Sequence, residues 1–135
     1  MVLGALILLL VLAAAGCGSD DDGQAAAPPQ PQGQTELVVV VDIDGDAGPQ
    51  QPREAEVRCD GAGGSPACAA AADLKAADFE ATPGDVACTQ QYGGPETAQV
   101  TGTLRGEQID ATFSRTDGCE ITRWEQVSGL LEAAG

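Results

Sequence analysis

The sequence has no histidine, few aromatic residues and few basic residues. Of its 135 residues, 6 are Lys or Arg and 21 are Asp or Glu, so the formal net charge is −15; Phe, Trp and Tyr together make up 3%. The missing imidazole excludes Ser-His-Asp and Cys-His catalysis and removes the commonest metal ligand. An acidic chain repels phosphate backbones, and few aromatics can stack on bases, so we expect no nucleic-acid partner.

Catalysis without histidine would need a pair of carboxylates, and no two carboxylates are recognisably placed for that role. We therefore predict a protein that is not an enzyme and that needs no cofactor. The chain length allows one domain with a modest core.

The N-terminal residues have the pattern of an export signal. Residues 2–16 (VLGALILLLVLAAAG) are nearly all apolar, but they fall short of the roughly 20 residues that span a bilayer. They end in Ala14-Ala15-Gly16-Cys17, which resembles the lipobox of bacterial lipoproteins. The prediction is a signal peptide at residues 1–16 and a lipidated Cys17 that anchors the protein on the extracellular face of the cell membrane. The alternative is an ordinary secretory signal with an incidental cysteine.

Residues 17–34 continue with Gly, Ser, Asp, Ala, Pro and Gln (GSDDDGQAAAPPQPQGQ after the cysteine). Such a segment cannot bury enough apolar surface to offset its ordering entropy, so a disordered tether is predicted. A polyproline ligand in Pro-Pro-Gln-Pro is the alternative. The folded domain is predicted at residues 35–135.

Apolar residues alternate in two pairs of segments, which predicts two β-hairpins. Residues 37–43 are apolar on both faces, as in a central strand, and residues 53–58 follow after a turn. Residues 97–104 and 107–114 flank the two-residue turn Arg105-Gly106. Ser65-Pro66 starts a helix to about residue 77, and helical spacing recurs over residues 120–132. The prediction is an α+β two-layer sandwich with helices on one face of an antiparallel sheet.

Four cysteines remain after Cys17: Cys59, Cys68, Cys88 and Cys119. An even number in a small exported domain favours two disulfides, and three pairings are possible. Cys59–Cys68 would close a short loop, and Cys88–Cys119 would tie the segment before the second hairpin to the segment after it. A zinc site is disfavoured because there is no Cys-x-x-Cys and no histidine.

Three segments carry a resemblance to a known family: Cys-Thr-Gln-Gln-Tyr-Gly-Gly-Pro at 88–95, Val-Thr-Gly-Thr at 100–103 and Phe-Ser-Arg-Thr-Asp-Gly-Cys-Glu at 113–120. With the order of cysteines, the chain resembles the subtilisin inhibitor-like family of secreted serine-protease inhibitors. The resemblance implies the pairs Cys59–Cys68 and Cys88–Cys119, a sheet of about five strands, and a possible homodimer through the free face of the sheet.

The resemblance also implies a reactive bond at Gln90–Gln91, and a subtilisin-like serine protease as the partner. The rest of the reactive loop is then Cys88, Thr89, Tyr92, Gly93, Gly94 and Pro95. A loop ordered in advance saves binding entropy and keeps its cut ends together. The neutral Gln90 side chain disfavours a pocket with Asp at its base. The alternative is a non-inhibitory binding or structural module of the cell envelope on the same scaffold.

Three acidic residues surround Gly45, namely Asp42, Asp44 and Asp46. They suggest a calcium loop, but no bidentate Glu follows at the required spacing, so an acidic turn is predicted.

Phe113 and Trp124 could form a binding patch, and we predict that they belong to the core instead. Arg115 and Arg123 flank Cys119. They are predicted to be solvated or paired with neighbouring carboxylates rather than functional.

Overall fold

The computed structural model describes residues 33–45, 48–60 and 64–134. The predictions for the signal peptide, for Cys17 and for most of the tether lie outside these residues. The elements run in the order β1 (Thr35–Asp42), β2 (Arg53–Cys59), α1 (Pro66–Asp73), a 3₁₀ helix (Ala76–Phe79), β3 (Thr97–Leu104), β4 (Glu107–Phe113) and α2 (Gly118–Ala134).

The strands form one antiparallel sheet in the order β2-β1-β3-β4. Val39 in β1 is paired with Ala55 on one side and Val100 on the other, so β1 is the central strand that its two apolar faces predict. Ile43 lies one residue beyond β1 and is exposed, although alternation over residues 37–43 predicted it on the same strand face as Leu37, Val39 and Val41. The α+β class, the antiparallel sheet and both hairpins are confirmed.

The described residues contain four strands, whereas the resemblance implied about five. The C-terminal segment forms α2, the helix that the spacing of its apolar residues predicts. Val127, Leu130 and Leu131 are all buried on one side of this helix.

The core fills the space between one face of the sheet and the helices. Leu37, Val100 and Phe113 face this core and are almost fully buried, and α2 packs against β1, β2 and β4. Phe113 is therefore the core residue that was predicted, and Trp124 packs partly buried at its margin. On the opposite face, Val38 and Val40 are half-buried in the described structure and lie among exposed carboxylates.

Helix α1 begins as predicted and ends early. The Ser65 hydroxyl accepts the Cys68 N–H at 3.2 Å, and Pro66 is the first helical residue. The helix stops at Asp73 instead of residue 77 because Leu74 is extended and its N–H turns back to the Ala71 carbonyl. A short 3₁₀ helix then brings Phe79 into the core against Phe113.

The hairpin turn between β3 and β4 also fastens α1 to the sheet. Arg105 and Gly106 have φ angles of 49° and 87°, as a mirror-image two-residue turn requires. The Arg105 side chain donates to the carbonyls of Ala71 and Leu74 at the end of α1, where the Leu74 N–H also donates to the Ala71 carbonyl. These bonds explain a non-glycine residue with positive φ at this position.

Arg123 holds α2 on the sheet from inside the protein. It is 9% exposed, and its Nε donates to the Glu80 carbonyl at 2.8 Å. Its Nη1 donates to the Glu120 carboxylate at 2.8 Å, and its guanidinium lies 4.7 Å from the Phe113 ring centroid. The predicted pairing with a neighbouring carboxylate is therefore confirmed for Arg123, with Glu120 as its partner. The alternative, a solvated Arg123, is wrong because the side chain is buried against the Phe113 ring and bonded to its neighbours.

The acidic residues after β1 stabilise a turn. The Asp42 carboxylate accepts the N–H groups of Asp44 and Gly45, both at 3.0 Å. The Asp44 carboxylate accepts the Gln50 N–H at 3.1 Å. Two of the three carboxylates proposed for a calcium loop are thus used within the turn, and Asp46 lies outside the described residues.

Candidate functional site

The predicted reactive loop runs irregularly from Cys88 to the start of β3. Thr89, Gln90, Gln91 and Tyr92 are exposed, and Tyr92 is 67% exposed. An exposed loop carried by a rigid sheet and helix is a common place for a binding function. The Gln90–Gln91 bond therefore lies where a second protein can reach it.

Two bonds fix the loop on the side before Gln90. Cys88 is linked to Cys119 by a disulfide, with Cα atoms 5.4 Å apart. The Thr89 carbonyl, next along the chain, accepts the Gly118 N–H at 3.0 Å. The covalent bond and the hydrogen bond both end in residues 115–119, which we name the support segment.

A separate backbone bond fixes the loop on the side after Gln91. The Gly93 N–H donates to the Arg115 carbonyl, again in the support segment, at 2.7 Å. A Cβ at position 93 would lie 3.0 Å from the Ile121 side chain and 3.2 Å from the Arg115 Cβ. Gly93 thus allows close packing of the loop on the protein body.

Further contacts hold the end of the loop. A Cβ on Gly45 would lie 2.9 Å from the Pro95 carbonyl oxygen, so the turn after β1 rests against Pro95. Gly45 has a φ of 71°, a conformation that glycine adopts without strain. Glu96 then forms an ion pair with Arg115 at 3.0 Å. The sequence predicted that Arg115 is solvated or paired with a neighbouring carboxylate, whereas its partner is Glu96, 19 positions away in the chain.

The support segment is itself anchored at the N-terminus of α2. The Asp117 carboxylate accepts the N–H groups of Cys119 and Glu120 at 2.9 and 3.0 Å, and therefore caps the helix. An Asp followed three residues later by a Glu is a helix-start pattern that could have revealed this role in the sequence. The other support residues carry no such signal.

Asp117 and the two half-cystines also lie close together. Their potential ligand atoms are all within 4.8 Å of one another. However, the sulfur atoms of Cys88 and Cys119 are bonded to each other, and the carboxylate is occupied as a helix cap. These residues therefore serve the loop and not a metal ion.

The second disulfide lies in the protein body. Cys59, at the end of β2, is bonded to Cys68 in α1, and both are buried in the core. Two disulfides are present, as predicted, and they join the pairs that the resemblance implied.

Within the described residues, no helix combines the length and apolar character needed to cross a bilayer. Cys17, the predicted lipidation site, lies outside those residues. Comparison of this chain with protein-family models, with curated proteins and with solved structures found no match.

Proposed function

We propose that the protein inhibits a serine-type endopeptidase through the loop that contains Gln90–Gln91. The observation that carries this proposal is the separate attachment of the two sides of this bond. The disulfide and the Thr89 carbonyl hold one side, and the Gly93 N–H holds the other, all on one short segment. A flexible exposed peptide would have no such double attachment and would be an ordinary substrate.

The chemistry follows from this attachment. A serine protease binds an extended peptide, with the carbonyl to be attacked directed at its oxyanion hole. A loop already held in place loses little conformational entropy on binding. After acyl transfer from Gln90 to the enzyme serine, the Gln91 amine stays close to the ester because Gly93 remains bound. Proximity of this kind favours re-formation of the peptide bond over release.

Gln90 is the residue that would enter the primary pocket of the protease. Its side chain is long, neutral and exposed in the free protein. A pocket with an Asp at its base would gain no ion pair from an amide. A broad, uncharged pocket of the subtilisin type therefore suits Gln90 better than a trypsin-type pocket.

The proposed place of action is the outer face of the cell membrane, with the lipid of Cys17 as anchor and residues 18–34 as tether. A protein in this position would act on proteases that reach the cell surface. The alternative, a non-inhibitory module of the envelope, uses the same scaffold without occupying a protease cleft.

The test is a titration of the purified, oxidised protein against subtilisin, with residual activity and peptide cleavage followed together. We expect stoichiometric inhibition with a slow cut at Gln90–Gln91. Gln90→Asp should weaken inhibition by about a hundredfold, because the pocket would have to bury an unpaired charge. Gln51→Asp is the matched control, since it makes the same change at an exposed position before β2. Rapid degradation, or no effect on the enzyme, would favour the envelope module.

A further inference from the structure

The Glu96–Arg115 ion pair lies beneath the part of the loop that follows Gln91. β3 and β4 pair Ala98 with Phe113, and the same register continued beyond the strand ends brings Glu96 opposite Arg115. The Arg115 Nη1 and the Glu96 Oε1 are 3.0 Å apart, and the two side chains are only 31% and 27% exposed. The pair is thus better shielded from water than Arg58–Glu56, whose side chains are 68% and 59% exposed.

The loop and this ion pair are packed directly together. A Cβ on Gly94 would lie 1.9 Å from the Glu96 Oε2, so the carboxylate occupies the space that a side chain at position 94 would need. Arg115 also supplies the carbonyl that accepts the Gly93 N–H. One residue therefore holds the loop with its backbone and Glu96 with its side chain.

The pair has few other partners. Among the described residues, the buried Glu96 Oε2 and Arg115 Nε have no hydrogen-bond partner. Each side chain is consequently held mainly by the other, and loss of either would leave a poorly solvated polar group under the loop. Movement of the pair would reach Gly93 and Gly94 directly.

We propose that Glu96 and Arg115 are positioning residues that retain the Gln91 amine during inhibition, a role that rests on the proposed function. In the forward step, the protease serine oxygen attacks the Gln90 carbonyl carbon. The bond from this carbon to the Gln91 nitrogen breaks, and the nitrogen takes up the proton that the serine hydroxyl lost. In the return step, the same nitrogen attacks the ester, the peptide bond re-forms, and the serine oxygen regains its proton.

Water competes with the return step because it can hydrolyse the ester and leave a carboxylate on Gln90. The Glu96–Arg115 pair keeps Gly93 and Gly94 on the support segment, and so keeps the amine two residues earlier near the ester. Its loss increases the volume that the amine explores and lowers the amine's effective concentration at the ester. The cut form then gains freedom that the intact form lacks.

The experiment incubates the inhibitor with a catalytic amount of subtilisin and measures the equilibrium ratio of cut to intact inhibitor. The rate constant for association with the protease and the midpoint of thermal unfolding of the inhibitor are measured beside it. We expect Glu96→Gln and Arg115→Gln each to raise the ratio about tenfold, with the association rate nearly unchanged. The double variant should be no worse than either single variant, because one interaction is lost in all three. Glu56→Gln, which neutralises the acid of the exposed ion pair, should leave the ratio unchanged.

Each outcome distinguishes the two proposals. A wild-type protein that does not inhibit subtilisin would overturn the proposed function and this role with it. Inhibition by the wild type, with equal ratios for Glu96→Gln and Glu56→Gln, would overturn the positioning role alone. Additive effects in the double variant would also contradict it. If Glu96→Gln proves too unstable, Arg115→Gln and Arg115→Lys provide the comparison, and Lys should restore part of the effect because it keeps the charge.

Discussion

The two disulfides lie in regions that differ in how much packing surrounds them. Cys59–Cys68 joins β2 to α1 across 9 residues, and both of its half-cystines are buried in the core. Cys88–Cys119 spans 31 residues, is partly exposed, and lies next to the hydrogen bond that fixes the candidate loop at residues 88–95. The first disulfide reinforces a body that packing already holds. The second holds a segment whose exposed residues have little packing of their own.

Removal of each disulfide should therefore have a different consequence, and this is the largest effect we expect. In the chain-entropy description, Cys88–Cys119 contributes about 4 kcal/mol to stability and Cys59–Cys68 about 3 kcal/mol. Cys88→Ala with Cys119→Ala should also abolish inhibition and make Gln90–Gln91 a rapidly cut substrate. Cys59→Ala with Cys68→Ala should lower stability and keep inhibition at temperatures where the protein is folded. Urea unfolding and inhibition constants measure both quantities.

Equal loss of inhibition in the two double variants would contradict this division. It would mean that the loop depends on the whole fold rather than on its own crosslink.

Arg123 allows the protein body to be weakened through a side chain whose hydrogen bonds, among the described residues, all go to positions outside the loop. Arg123→Met should lower the free energy of unfolding by about 3 kcal/mol, because the Glu120 carboxylate and the Glu80 carbonyl lose a donor near a buried position. Arg58→Met, which breaks the exposed ion pair, should change stability by less than about 0.5 kcal/mol. Chemical denaturation compares the two variants.

The inhibition constant of folded Arg123→Met should equal that of the wild type. A larger inhibition constant in the fully folded variant would show that α2 transmits changes from the core to the support segment.

Gly118 tests the contact between loop and support, with a smaller expected effect. A Cβ at this position would lie 2.1 Å from the Thr89 Oγ1, so Gly118→Ala forces Thr89 to move. We expect inhibition about tenfold weaker, since the residue before Gln90 shifts in the cleft. Adding Thr89→Ala should restore most of the loss, and Thr89→Ala alone is the control. Failure of this rescue would show that the effect of Gly118→Ala does not arise from the steric contact.

The sequence predicted the regular elements well where a local pattern was strong. Alternation located both hairpins, Ser65-Pro66 located the start of α1, and helical spacing located α2. The end of α1 was wrong because Leu74 turns inward to the core, and nothing local in the sequence marks that change. Ile43 was wrongly placed because alternation does not reveal where the hydrogen-bonded ladder stops.

The candidate loop was foreseen in the sequence, but its attachments were only partly foreseen. The resemblance singled out residues 88–95 and the pair Cys88–Cys119. It gave no indication that Glu96 would pair with Arg115 or that Gly93 would bond to the Arg115 carbonyl. These contacts join residues about 20 positions apart, and they exist only because β3 and β4 pair in one register.

The sequence alone determined the acidity of the chain, its lack of histidine, and the alternating and helical patterns that build an α+β domain, because these are properties of composition and of neighbouring residues. Only the tertiary structure decided that Arg123 is buried against the core and how closely Gly93 and Gly94 pack on the residues beneath the loop. It also decided that both sides of Gln90–Gln91 are attached to one segment. Those features depend on distances between residues far apart in the chain, which the folded backbone fixes and local preference does not.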